Sequence, residues 1–476
     1  MNPQALYDLS PLARMMVFGI VLAAVPLLWV WWRNRNGSGT QRLHALTLVT
    51  LFFTFDLVLF GAFTRLSDSG LGCPDWPGCY GHASPLGAQA EIAVAQSAMP
   101  TGPVTRNKAW IEMVHRYLAT GVGVLILVLA VASWLAPGRK LAARSGKAAL
   151  NMGQTAGLSG TRNRVMTTDL NSAPHAASYT ALTSPWLATA TLVWVCVQGA
   201  FGALTVTMKL FPAIVTLHLM GGLVLLALLC MQVVRQHQFR TGTAPVPVSP
   251  AVRALIWVAF ALLVVQIALG GWVSTNYAVL ACSEFPRCQN SWWPEMDFEQ
   301  GFQIWRKLGY TPQGEPVGFA ALTAIHFTHR LMAVAVLLAG AVLAWVLNGV
   351  SGGVSGGVSG AVNGVIGGVN KTFDRNVHGS AGSLRTHSRW LAGLIGLQLA
   401  TGLSNVVLDW PLLAALLHTG GAGALVIVMT WVVCASRVSR ASRVSHTGRT
   451  IPNSRSDSAD PAAMHTRSMN LPGLNR

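Results

Sequence analysis

Four histidines in strongly apolar surroundings, His115, His218, His329 and His418, recur at matching places in two halves of the chain. Glu112, His115 and Arg116 are followed by Gln198, Gly202 and His218; His326, His329 and Arg330 are followed by Gln398, Gly402 and His418. The step from Gln198 to His218 equals the step from Gln398 to His418. A six-coordinate haem iron takes two imidazoles from two helices as axial ligands, so two such pairs suggest two haem sites. A bare ion fits less well, because no cluster of carboxylates or thiolates neighbours the histidines, whereas haem brings its own four equatorial nitrogens. Haem propionates call for cations. Arg116 and Arg330 are candidates, with bonding to backbone or to another helix as the alternative.

The halves differ where chemistry could be decided. Glu112 stands one turn before His115, and His326 takes that place before His329. Residues so spaced share a helix face, so Glu112 points toward the same haem edge as His115. It could accept a proton or stabilise positive charge developing on a porphyrin substituent; a salt bridge to Arg116 or Arg65 is the plainer role. His326 reads as a supporting group. If one half works on substrate and the other holds a redox haem, the half with Glu112 is the catalytic one.

These residues need helices in a bilayer to position them. With 52% hydrophobic and 10% charged residues, the chain reads as a polytopic membrane protein. Runs near 15–32, 44–64, 109–136, 186–208, 212–234, 254–273, 318–347, 388–408 and 411–434 each approach the roughly 20 apolar residues that a helical span needs. The first lacks a small-residue cleavage site and is expected to be retained as an accessory helix. Most of the 33 Lys and Arg fall in alternate loops and in the tail after Cys434. That placement argues for topology rather than nucleic acid, with the N-terminus outside and the C-terminus cytoplasmic. The histidines then lie about two turns below the outer face.

Four of the seven cysteines form two C-x5-C pairs, Cys73/Cys79 and Cys282/Cys288, in the expected outer loops. An oxidising compartment there favours disulfides; free thiols or a metal-binding pair are the alternative. Cys196, Cys230 and Cys434 read as buried small apolar residues. The basic loop 137–184, the Ser-Gly-Gly-Val repeats of 351–370 and the tail lack the side-chain volume or apolar content for a core.

The repeated order is helix, cysteine loop, His-Arg helix, inner loop, Gln-x-x-x-Gly helix, tight turn, His helix. An even number of helices per copy predicts a pseudo-twofold axis along the membrane normal. The expected fold is an all-α polytopic membrane protein of two pseudo-twofold-related four-helix bundles plus one N-terminal transmembrane helix. Its expected divisions are an accessory segment 1–43, a first repeat 44–235, a linker 236–252, a second repeat 253–434 with a flexible insertion 349–387, and a disordered basic cytoplasmic tail 435–476.

Taken together, Gly70-Leu-Gly-Cys-Pro-Asp-Trp-Pro-Gly-Cys79, Glu112-x-x-His-Arg116, the Gln198-to-His218 block with Gly202-Ala-Leu-Thr205, His329-Arg330 and the Gln398-to-His418 block resemble the haem A synthase family. The resemblance is to bacterial members and to the mitochondrial cytochrome oxidase assembly homologue, and spans most of 44–434. It implies oxidation of the C8 methyl of haem o to the formyl of haem a by two hydroxylations, with water as oxygen source, followed by dehydration. By position, His115 and His218 bracket the substrate haem with Glu112 beside it, and His329 and His418 ligate a bound haem b. It further implies disulfides Cys73–Cys79 and Cys282–Cys288, a bacterial inner membrane location, and partnership with haem o synthase (protohaem farnesyltransferase) and terminal oxidase assembly. A homo-oligomer is compatible. The chain departs from shorter members in its N-terminal helix, in Asp56 and in both inner-loop insertions. Two other classes stay open: a bis-histidine cytochrome b that relays electrons and does not need Glu112, and a haem carrier, which the parallel repeat disfavours.

Overall fold

The computed structural model describes residues 10–135, 185–361 and 370–438, with side chains described outside 350–383. The described chain is helical almost throughout. Its helices are α1 (Ser10–Arg33), α2 (Gly39–Leu66), a short α3 (Gln89–Ala98), α4 (Arg106–Leu135), α5 (Pro185–Thr207), α6 (Pro212–Thr241), α7 (Pro250–Thr275), α8 (Phe319–Ala361), α9 (Asn370–Val407) and α10 (Leu412–Ala435). Among the described residues, nine helices, all but α3, are long and apolar enough to cross a membrane. They coincide with the nine apolar segments of the sequence, and the protein is a multi-pass membrane protein.

Local chemistry starts, stops and sustains these helices. Ser38 and Ser249 accept hydrogen bonds from Gln41 N and Val252 N at 3.3 Å, capping α2 and α7. Pro212 and Pro250 occupy first-turn positions where a missing N–H costs nothing. Gly242, at φ 67°, closes α6 in the left-handed conformation. Within α2, the hydroxyls of Thr47, Thr50 and Thr54 donate to the carbonyl one turn back at 2.7–2.8 Å, so polar side chains inside the span are satisfied locally.

α2, α4, α5 and α6 pack in a closed ring, and α7, α8, α9 and α10 repeat that order. α2 and α6 of the first bundle meet α7 and α10 of the second along a central seam, and α1 lies outside on α4. A bilayer gives helices no hydrophobic reason to associate, so close approach at small residues matters. Gly222 meets Val58, Gly271 meets Leu219 and Thr216, Gly420 meets Leu59, and Gly423 meets Phe55. Away from the loops, Leu226, Ile256, Leu343, Leu347, Met429 and Val432 fill the seam.

The repeat extends to backbone detail. Left-handed pairs turn the chain at Lys209–Leu210 and again at Asp409–Trp410, and the two cysteine loops close on isolated bridges, Cys79 with His82 and Cys288 with Ser291. The cysteine loops and these turns share one end of the bundles, called here the loop end. At the seam, equivalent residues of the two repeats touch each other: Arg65 donates to the Ser274 carbonyl at 2.5 Å, and the Tyr277 hydroxyl donates to Asp68 Oδ1 at 2.8 Å. Contact between residues in equivalent positions is what a pseudo-twofold axis produces.

Two of the connections carry regular backbone structure. Over 349–387, taken as a flexible insertion, the described backbone is helical, with α8 continuing to Ala361 and α9 beginning at Asn370. Glycine is a poor helix nucleator, but an adjoining apolar span supplies the nucleus, and propagation then adds one bond per residue. In the linker 236–252, α6 runs on to Thr241 and β1 (Val246–Val248) pairs in parallel with β2 (Ser436–Val438), which ties down the start of the tail. The loop 137–184 and the tail beyond 438 lie outside the described residues.

A leucine at Gly19 tests the docking of α1. The Cβ of any replacement meets Thr120 Cγ2 at 2.7 Å and its backbone at 3.0 Å, while Gly123 faces open space. Gly19→Leu should overpack the contact by about 1–3 kcal/mol and lower the melting temperature in detergent, and Gly123→Leu should not. Equal melting temperatures would show that α1 is not packed this way.

Candidate functional site

The four histidines stand on four different helices, two per bundle: His115 on α4, His218 on α6, His329 on α8 and His418 on α10. Each lies six to ten residues from the loop end of its helix, roughly 9–15 Å deep at 1.5 Å per residue. His218 is close enough to His115 to act on it electrostatically, and His418 stands in the same relation to His329. The structure thus brings each expected pair together.

Each imidazole lies against a glycine of a neighbouring helix. A Cβ at Gly61 would stand 3.0 Å from His115 Cε1, and at Gly202 3.5 Å from His218 Cε1. At Gly270 and Gly402 it would stand 3.1 and 3.2 Å from Cε1 of His329 and His418. Sequence reasoning singled out Gly202 and Gly402 but missed Gly61 and Gly270, whose only signal was their equivalent place in the first helix of each repeat. Phe60 stacks parallel to the His115 ring, with centroids 6.2 Å apart.

The nitrogens of these rings suit a ligand. Nδ1 of His115, His218 and His329 is buried without a hydrogen-bond partner, a cost that only a partner on that nitrogen itself offsets. The second pair is also braced by polar neighbours. Gln266 Nε2 lies 3.4 Å from His329 Nε2 and donates to the His329 carbonyl at 3.2 Å. Thr401 Oγ1 lies 2.9 Å from His418 Nδ1, and Gln398 donates to the His418 carbonyl at 2.9 Å. In the first half, Leu57 and Phe201 hold the places of Gln266 and Thr401. Among the described residues no group of three His, Cys, Asp or Glu side chains is arranged to hold a bare ion. Imidazole pairs set against glycines, without further donors, fit haem.

At the loop end, both cysteine pairs are bonded, Cys73 to Cys79 and Cys282 to Cys288, and all four are fully buried. Each loop is fastened to its histidine helix in the same way. Cys73 N donates to Glu112 Oε2 at 2.7 Å, and the equivalent Cys282 N donates to His326 Nδ1 at 3.3 Å. Arg116 donates to the carbonyls of Asp75, Pro77 and Gly78, and Arg330 to those of Glu284 and Arg287. Position 112 or 326 therefore grips the start of the loop, and Arg116 or Arg330 its middle.

Glu112 is 3% exposed, and its Oε1 accepts from Arg116 Nη2. The salt bridge with Arg116, one of the two partners weighed for it, is the one formed; Arg65 lies elsewhere. Burying this pair is tolerable only because backbone groups satisfy what the two charges leave over. With its Nη1 on three carbonyls and its Nη2 on Glu112, Arg116 is committed to the loop rather than directed at an open space. Arg330, which has no carboxylate at position 326, is the less buried of the two.

The fold and its histidine pairs define a class: a duplicated, multi-pass helical membrane protein with one pair of neighbouring histidines per repeat and one disulfide-closed loop per repeat at the same end. Residues 44–352 match the model of the COX15-CtaA family of cytochrome oxidase assembly proteins. The heme A synthase of Shewanella oneidensis is 32% identical over 394 residues, covering 82% of this chain and 96% of its own length. That of Alkalihalophilus pseudofirmus is 23% identical over 316 residues, 65% of this chain and 77% of its own. That of Sinorhizobium medicae is 29% identical over 113 residues, 21% of this chain and 31% of its own. The chain belongs to the COX15-CtaA family.

Mass spectrometry of non-reduced peptides from protein in its native membrane should recover Cys73 linked to Cys79 and Cys282 linked to Cys288. Free thiols at all four positions would remove the loop closure described here.

Proposed function

We propose that the protein is a haem A synthase that oxidises the C8 methyl of haem o to the formyl of haem a. The observation that carries the reading is the asymmetry of two otherwise matching pockets. The first has a buried carboxylate, Glu112, and apolar residues where the second has Gln266 and Thr401. The second has neutral His326 in place of the carboxylate and polar groups that hold its histidines in position. A pocket whose ligands are braced suits a resident group, and one with an acid and unbraced ligands suits a substrate that arrives and leaves. A cytochrome that only relays electrons needs no such difference.

In this reading His115 and His218 take the iron of haem o, while His329 and His418 hold a haem b, which would supply one-electron relay chemistry. The methyl gains oxygen from water twice. Each hydroxylation releases two electrons and two protons, and loss of one water from the resulting diol gives the aldehyde. Glu112 is placed to act on charge rather than as a nucleophile. Its carboxylate, fixed by Cys73 N and Arg116, stabilises positive charge developing beside the macrocycle more in the transition state than in the ground state. The disulfide loop keeps bulk water from this low-dielectric site, where such an interaction counts most. With Arg116 tied to its loop, its role is to hold Glu112 and the loop in place, and Arg330 anchors the second loop likewise. The distribution of basic residues among the loops supports a C-terminus in the cytoplasm and an N-terminus and disulfide loops outside a bacterial inner membrane. Haem o synthase as supplier and terminal oxidase assembly as consumer complete the proposal.

Spectra separate the two pockets. Replacing His329 or His418 should abolish the low-spin haem b signal, whereas replacing His115 or His218 should chiefly block conversion of haem o. Equal loss of one haem in all four variants would contradict the division of roles.

Glu112→Gln keeps an acceptor for Cys73 N and the side-chain volume but loses the charge. The fold and haem b should persist while haem o, or a partly oxidised alcohol, accumulates by a factor of about 100 or more in lost turnover, as for removal of one preorganised electrostatic group. Haem a formation at the wild-type rate would make Glu112 a loop anchor only.

A further inference from the structure

With Arg116 committed to Glu112 and to loop carbonyls, the first pocket needs a different cation for the carboxylates of its substrate. Arg65 is in the right place. It lies on α2 one turn from Gly61 toward the loop end, on the same helix face, and Gly61 is the residue against which His115 packs. Its guanidinium reaches the seam, donating to the Ser274 carbonyl at 2.5 Å and lying 4.2 Å from the centre of the Tyr277 ring. Neither contact neutralises its charge. The nearest acid in sequence, Asp68, is taken by Lys108 at 3.2 Å and by the Tyr277 hydroxyl. Burial holds the Tyr277 phenol above its ordinary pKa, so it remains a donor to Asp68. Among the described residues no carboxylate forms an ion pair with Arg65, although a guanidinium offers five donors in a fork that fits one.

The second repeat has no cation at either equivalent position: the residue equivalent to Arg65 is Ser274, and the one equivalent to Lys108 is Leu322. Its buried cation at the loop end, Arg306, donates to Asn276 Oδ1 at 2.6 Å and stands over the Trp272 ring instead.

We infer that Arg65 is the propionate-binding residue of the substrate pocket and sets the rotation of haem o about the axis through its iron. The inference rests on the synthase reading above. The methyl that is oxidised shares a pyrrole ring with one propionate. Holding that propionate at the loop end keeps the methyl on the loop side of the iron, where Glu112 also stands, one turn from His115 toward the loop. Arg65 is a positioning residue. It selects for free carboxylates and presents one edge of the macrocycle to Glu112.

The test uses full-length protein with its resident haem b, titrated with haem o and with haem o whose propionates are methyl esters, and followed by the Soret band. Wild type should bind haem o about tenfold or more tighter than the diester. Arg65→Gln should weaken haem o by that factor, leave the diester unchanged and raise KM for haem o, with the haem b spectrum intact. Arg65→Lys, which keeps the charge without the fork, should recover part of the discrimination. If wild type oxidises haem o while Arg65→Gln discriminates against the diester as strongly as wild type, Arg65 is a seam contact and the inference fails alone. If wild type neither binds nor oxidises haem o, the synthase reading itself fails.

Discussion

A ring nitrogen buried in a bilayer without a hydrogen-bond partner is costly, and three of the four site histidines carry one. Around that constraint the molecule is arranged. His115, His329 and His418 lie so close to a glycine that even a Cβ there would be tight, His218 lies at ordinary contact distance from Gly202, and the four glycines sit on the helices that neighbour the histidine helices. Helix order, ring closure of each bundle and the small-residue seam all serve to bring a bare Cα to each imidazole.

Duplication supplies two such pockets, and a few substitutions make them different. Glu112 and His326 do the same structural task, receiving the N–H of the first disulfide cysteine, yet only one of them is a carboxylate. Gln266 and Thr401 brace the second pair where Leu57 and Phe201 leave the first unbraced. Arg65 faces Ser274 across the pseudo-twofold axis, so the first half gains a cation where the second offers a carbonyl. The two halves differ without any change of fold, only through changes of polarity at equivalent places.

Much of this was legible in the sequence because bilayers impose simple rules. Nine apolar runs became nine long helices, since a hydrocarbon core leaves the backbone few alternatives. The duplicated His-Arg and glutamine-to-histidine spacings located the paired histidines, and the contrast of Glu112 with His326 marked a difference in how the two loops are held. What escaped were tertiary facts. Gly61 and Gly270 look like any membrane glycines until a partner helix is in place. Arg116 and Arg330 carry the same charge whether they face a propionate or a loop carbonyl, and only the folded loops at Asp75–Gly78 and Glu284–Arg287 decide it. The glycine-rich run after Gly349 has the composition of a linker, yet as far as Ala361 its backbone continues the helix that precedes it.

The central claim is that two matching pockets hold different haems for different purposes. Extracting the pigments from purified wild-type protein and identifying them by chromatography and mass tests it most directly. The account predicts haem b together with haem o, haem a or the intermediate alcohol. Haem b alone, filling both pockets, would contradict it and make the protein a membrane cytochrome.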